Sequence, residues 1–173
     1  MIKKVIDRFM EDYRWLSNFH LVNIKYEGIV YPSSEHAYQA AKSLDKDVRL
    51  SFLNLTCGQA KRLGGKIELR TDWEDIKYQV MLDILRIKFS NPFLVVQLLD
   101  TGDAELIEGN TWGDVYWGVC KGVGQNNLGK ILMIIREEIR KTKADRYERQ
   151  KRILENRGTN EDYRIIGEEE LHD

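Results

Sequence analysis

Tyr31-Pro32-Ser33-Ser34-Glu35-His36-Ala37-Tyr38-Gln39-Ala40-Ala41-Lys42 holds three side chains able to act together on a polar substrate. Pro32 biases Tyr31 toward extended backbone, and Ser33 or Ser34 can accept a hydrogen bond from the amides of a first helical turn, so a helix starts here. Glu35, Gln39 and Lys42 then fall at offsets of four and three, which puts a carboxylate, an amide and a cation on one face. A solvated face with an acid near the helix N-terminus is the ordinary reading of such a stripe, and a binding site is the alternative. A second acid, Asp114, stands in Thr111-Trp112-Gly113-Asp114-Val115-Tyr116-Trp117-Gly118, among three aromatic rings and two glycines. Rings beside an acid suit stacking on a flat base while the carboxylate works at the adjoining sugar, whereas a plain turn needs only the acid. Trp73, near the start of a helix, is a core residue or part of the same wall. Gly122-Val123-Gly124-Gln125-Asn126-Asn127-Leu128-Gly129 precedes the last helix, whose N-terminal amides could hold a phosphate, although it matches neither a dinucleotide fingerprint nor a Walker motif.

The elements that must position these groups are mostly helical. Val5, Asp7 and Phe9 suggest a short strand, Trp15 to Phe19 a loop, and Val22–Tyr26 with Ile29–Tyr31 a hairpin about Glu27-Gly28. After the organising helix, which ends near Ser43, residues 47–55 form a short helix. Thr56 and Gln59 form a capping box for another that Gly64 and Gly65 stop. A long core helix over 72–90 follows, with Thr71 and Glu74 as a second capping box, an apolar stripe at Ile76, Val80, Ile84 and Ile87, and Asn91-Pro92 at its end. Asn91-Pro92 also caps a helix over 93–99, closed by Gly102. Residues 104–108 read as a strand, Gly109-Asn110 as a turn and Val115 to Trp117 as a second strand. Residues 128–141 are helical, with Leu132, Ile135 and Ile139 inward. The expectation is one domain over residues 1–143 and a charged helical extension with a flexible tail over 144–173.

The chain has 173 residues and 42% apolar content, enough for a sizeable core. Its 27 basic and 28 acidic residues give a net charge of −1, so no global field marks nucleic acid or an acidic membrane as partner. No apolar run approaches the length of a signal peptide or a membrane span, which leads us to expect a cytoplasmic protein without a membrane partner. Cys57 and Cys120 stand apart, and His20, His36 and His172 are scattered, so neither a disulfide framework nor a metal site is expected.

Taken in order, Ser17-Asn18-Phe19, Tyr31 to His36 with Gln39, Ala40 and Lys42, Trp73, Met81, Arg86-Ile87-Lys88-Phe89, Leu98 to Gly102, Leu106-Ile107-Glu108, Asp114 to Gly118, and Asn126 to Gly129 with Leu132, Met133 and Arg136 resemble the NADAR family. The resemblance covers roughly Trp15 to Arg140. It implies an α+β fold, a predominantly helical single domain around a small β-sheet. It also implies an N-glycosidase that hydrolyses the base-to-ribose bond of phosphorylated riboflavin-pathway intermediates, or a hydrolase that removes ADP-ribose from guanine in DNA. The family's catalytic glutamate, tryptophan and aspartate fall on Glu35, Trp73 and Asp114.

Breaking an N-glycosidic bond builds positive charge on the ribose and negative charge on the departing nitrogen, so one carboxylate must face the sugar cation while an acid assists the base. Glu35 and Asp114 form the available pair. Glu35, favoured as an anion by its helix N-terminus, suits cation stabilisation or water activation, and Asp114 the ribose hydroxyls or the leaving base, with roles that could be exchanged. Trp73 or Trp117 would stack on base or ribose. Lys42, Arg62 and Lys88 are candidates for a 5′-phosphate, and Asn18, Gln39 and Asn126 for polar contacts, with Phe19, His36 and Gly118 completing the binding set. No cofactor is required, because water is the second substrate. The expected partner is a small phosphorylated ribosyl or ADP-ribosyl compound. A modified nucleic acid is the alternative substrate, and a non-catalytic nucleotide-binding module is the competing class.

Overall fold

Pro92 and Asn91 show how directly local chemistry sets the elements. Asn91 accepts the amide of Phe93, Pro92 takes the first helical position, and the helix α5 runs Pro92–Asp100. The same logic starts α1, Ser34–Ala40, behind Ser33, and α3, Cys57–Gly64, where Thr56 and Gln59 complete the expected capping box. The computed structural model describes residues 4–165, with side chains as far as residue 154. Two compact units divide the chain, Met1–Arg136 and Glu137–Asp173.

Within the first unit, α4, Trp73–Lys88, packs against both α1 and the strand β2, Leu21–Tyr26. Its inner face is broader than the expected stripe: Val80, Met81, Ile84, Leu85 and Lys88 are buried, while Ile76 and Ile87 are half-buried. The capping box expected at Thr71 and Glu74 does not form. Asp72 is the cap residue, and its carboxylate is taken instead by Arg70 at 2.6 and 2.9 Å. A five-residue helix α2, Lys46–Leu50, is capped by Asp45 and is shorter than the 47–55 segment expected. Residues 11–16 form a 3-10 helix that takes in Trp15 and Leu16, expected to open a loop.

Among the described residues, strands occur as three separate two-stranded ladders. β2 and β3, Ile29–Ser33, form the expected antiparallel hairpin, in which Glu27 and Gly28 both take positive φ as a tight two-residue turn requires. β1, Val5–Ile6, pairs in parallel with β4, Glu105–Leu106, and β5, Gly109–Asn110, pairs in parallel with β6, Val119–Cys120. Gly109-Asn110 is therefore extended where a turn was expected, and the strand expected over 115–117 begins two residues after it. The reason is local: Asp114 Oδ1 accepts the amides of Tyr116 and Trp117, which removes them from any ladder.

α6, Asn127–Ile165, contributes residues 127–136 to the first unit, where Leu128, Ile131, Leu132 and Ile135 are buried. Arg136, also buried, donates to Thr101 Oγ1 at 2.7 Å. In the second unit Arg140 pairs with Glu137 at 2.6 Å, and side chains 141–154 are exposed. The tip expected to be flexible falls largely outside the described residues. Among the described residues no helix is long and apolar enough to cross a membrane.

Candidate active site

All seven residues of α1 are buried, so the stripe of Glu35 and Gln39 is not a solvated face. Glu35 is 5% exposed, its amide donates to Asn18 O at 3.0 Å, and Gln39 Nε2 donates to its Oε1 at 2.9 Å. Gln39 is itself held by the close approach of α3: a Cβ on Gly64 would lie 1.9 Å from Gln39 Oε1 and 2.9 Å from its Cβ. Burial pushes the Glu35 carboxyl above the usual carboxylate range. The hydrogen bond from Gln39 and the charges of Lys61 and Lys42 oppose that rise, and Asp114 adds to it. Burial thus outweighs the preference for an anion that its place in the first helical turn confers.

Asp114 is fixed from two sides. Asn110 Nδ2 donates to its carbonyl at 2.7 Å and Asn110 Oδ1 accepts its amide at 3.1 Å, while the amides of Tyr116 and Trp117 engage Oδ1 at 3.2 and 2.9 Å. The start of α6 completes the clamp. The amides of Gln125, Asn126, Asn127 and Leu128 donate to the carbonyls of Val115, Gly118, Tyr116 and Trp117. The glycine-bearing loop therefore spends on the Asp114 segment the amides that could have held a phosphate.

Glu35 and Asp114 line one cavity of about 420 Å³, within the range of small-ligand sites. Tyr38, Trp117, Phe19 and Trp112 supply aromatic wall, and Asn18, Gln39 and Lys42 also reach it. Tyr38 meets Trp117 edge-on at 5.5 Å between ring centroids, and Trp117 lies between Tyr116 at 4.9 Å and Tyr78 at 6.4 Å. A third acid that the sequence did not single out, Glu108, lines the same space. Burial and the nearby Asp114 push its carboxyl up to about 7 against Lys61 and Lys88. Arg14 and Lys61 are likewise lining cations not foreseen, Lys61 lying over both Phe19 at 5.9 Å and Trp112 at 5.2 Å. The Lys42 ammonium donates to Gly64 O at 3.1 Å, and burial lowers its pKa. Among the described residues no group of three or more His, Cys, Asp or Glu side chains could hold a metal ion.

The remaining expected site residues are not among those that line the cavity. Trp73 is 4% exposed and packs 5.2 Å from Tyr38, so it backs the ring that faces the cavity. His36 bonds Ser33 Oγ at 2.7 Å and Leu55 O at 2.8 Å, which ties α1 to the chain before α3. Lys88, 1% exposed, donates to Leu16 O and Ser17 O and is brought down to about 7 by burial, so it supports the segment carrying Asn18 instead of offering a charge to a phosphate. Arg62 does not line the cavity; its neighbour Lys61, on the other phase of α3, does. Asn126 grips Glu108 N at 3.0 Å and Leu106 O at 2.9 Å, and Gly118 leaves no room for a Cβ, which would lie 2.2 Å from Glu108 O.

Comparison with known proteins gives a consistent set of relatives. The NADAR domain family model matches residues 7–140. A riboflavin biosynthesis protein of Vibrio vulnificus is 44% identical over 136 residues, 75% of this chain and 36% of that protein, so this chain spans about a third of its length. The N-glycosidase YbiA of Escherichia coli strain K12 is 40% identical over 134 residues, 75% of this chain and 83% of that one. The NMR structure of Escherichia coli YbiA superposes with a TM-score of 0.75 and 37% identity, covering 83% of this chain and 89% of that chain. This agreement bears out the α+β reading, helices with small β-structure.

Proposed function

This chain belongs to the NADAR family, and from that premise we propose that it is an N-glycosidase, a hydrolase that cleaves the base-to-ribose bond of a phosphorylated ribosyl compound. One observation carries the reading: Glu35 and Asp114, 79 positions apart in sequence, face a single aromatic-walled cavity that also has cations on its lining.

Glu35 is the proton carrier. With its pKa raised by burial, its carboxyl can donate a proton to the leaving base nitrogen as the C1′–N bond breaks. The resulting carboxylate then pairs with the oxocarbenium-like ribose and takes a proton from the water that attacks C1′, which restores the starting state. Asp114 is the fixed acid. Two amides hold its Oδ1 and leave its other oxygen for the ribose. Tyr38 and Trp117 offer faces and edges for the base, and Lys42, Lys61 and Arg14 are the cations available to the phosphate. Phosphorylated metabolites as substrates suit a protein of the cytoplasm, and with water as the second substrate the reaction calls for no organic cofactor.

Relatives named for riboflavin biosynthesis favour an aminopyrimidine ribosyl phosphate as substrate. Three lining cations exceed the need of one phosphate, which favours an ADP-ribosyl conjugate, free or on nucleic acid, as the second reading. Incubating the protein with ribosylaminopyrimidine phosphates, ADP-ribose and ADP-ribosylated DNA, and following release of free base or of ADP-ribose by chromatography, separates these. Glu35→Gln and Asp114→Asn should each lower turnover by at least about a hundredfold while leaving the circular dichroism spectrum unchanged. Ligand binding with no release of base or of ADP-ribose from any substrate would make the protein a binding module instead.

A further inference from the structure

Glu108 is held more firmly than a chance lining residue needs. Its amide donates to Asn126 Oδ1 at 3.0 Å, its carbonyl accepts the amide of Val119 at 2.9 Å, and Gly118 lies so close that a Cβ there would meet Glu108 Cγ at 3.1 Å. The side chain so fixed reaches the cavity shared by Glu35 and Asp114, and its Oε2 is buried without a hydrogen-bond partner among the described residues. A second lining side chain, Asn18, carries a buried oxygen in the same condition. Buried polar atoms in native proteins are paired, and each exception calls for a specific account. Gln39 Oε1 also lacks a partner, but it abuts Gly64 on α3.

We propose that Glu108 is a third substrate-contacting carboxyl group of this site, with Oε2 reserved for a hydrogen bond that the substrate supplies. The proposal rests on the glycosidase reading for the nature of the ligand and not for the existence of the contact. Near neutral pH the group exists in both protonation states, since its carboxyl is pushed up to about 7 by burial. It can therefore donate as well as accept, and its natural complement is a substrate group that does both. Two parts of a ribosyl substrate have this character: the ribose diol, and the lactam edge of a base, where an N–H stands beside a carbonyl. Glu108 holds its partner in place and takes no part in proton transfer to the leaving nitrogen, which belongs to Glu35.

Calorimetry on the full chain with two probes decides the matter: ribose 5-phosphate, which has the diol and no base, and a free aminopyrimidinone, which has the base edge and no sugar. In Glu108→Ala at least one probe should bind at least about fivefold more weakly, the scale of one lost hydrogen bond to a buried group, and Glu108→Gln, which keeps a donor and an acceptor in the same volume, should restore most of that loss. Weakening on ribose 5-phosphate assigns Oε2 to the diol, and weakening on the pyrimidinone assigns it to the base. A change below about fivefold on both probes overturns the proposal, as does an equal loss in the Ala and Gln variants. Failure of the hydrolase reading is separate, because it would show as no release of base or of ADP-ribose by the wild type from any substrate.

Discussion

Among the ionisable side chains, Glu108 and Lys88 carry the clearest linkage to pH. Both are brought to about 7, the acid from 4.5 and the amine from 10.5. The folded state therefore holds a proton on Glu108 that the unfolded state has released between about pH 4.5 and 7, so this group's contribution is fully present below 4.5 and is lost as pH rises through 7. For Lys88 the sign is reversed: the folded state binds fewer protons between about 7 and 10.5, and stability recovers with rising pH across that window. Urea denaturation of the wild type should show a decline from pH 5 to 7, and Glu108→Gln should flatten it by on the order of 1–3 kcal/mol. An unchanged slope in that variant would mean Glu108 is already ionised when folded. That the sequence reading named it in a family-like motif but gave it no part in the site has a physical cause. Between Leu106-Ile107 and Gly109 it reads as one more strand residue, and the burial that perturbs it depends on Gly118 and Asn126, 10 and 18 positions away.

Elements whose signals are contained within a few residues were legible in the sequence, and those that depend on a competing side chain were not. Ser33, Thr56 and Asn91 cap the helices they were expected to cap, each side-chain oxygen accepting an amide two or three residues ahead. Thr71 and Glu74 fit the same pattern, but the Arg70–Asp72 ion pair shifts the start of α4 by one residue. Val115 to Trp117 has strand composition, yet its amides belong to the Asp114 carboxylate, and that departure coincides with the candidate site. The contact between α1 and α3 supplies a prediction at this scale. Gly64→Ala favours helix locally, but its Cβ strikes Gln39 as far back as the Gln39 Cβ, so α3 must move away from α1. The variant should lose about 1–3 kcal/mol of stability in chemical denaturation and lower kcat/KM by at least about tenfold, since Gln39 can no longer hold Glu35. Wild-type values on both counts would show that the helices yield without cost.

Across the whole molecule, every residue that lines the cavity falls between Phe9 and Leu128, inside the first compact unit. The proposed base release by Glu35 and Asp114 accordingly should need nothing from residues 144–173. Removing them should leave kcat/KM for that reaction within about twofold of the full chain, measured by the same chromatographic assay, and a larger fall would assign that segment a part in substrate binding or in maintaining the fold. The near-balanced charge of the chain says little about its substrate, whereas the cavity does. It gathers acids, rings and cations from the segments around α1, α3, β5 and the Asp114 loop, an assembly that no single stretch of sequence displays.

The proposed activity requires Glu35 and Asp114 to act together in breaking a base-to-ribose bond. Its sharpest test is single-turnover measurement of base release from a ribosylaminopyrimidine phosphate by the wild type, Glu35→Gln and Asp114→Asn. Release by the wild type and a fall of at least about a hundredfold in each variant are expected. Release at the wild-type rate by either variant would contradict that joint role.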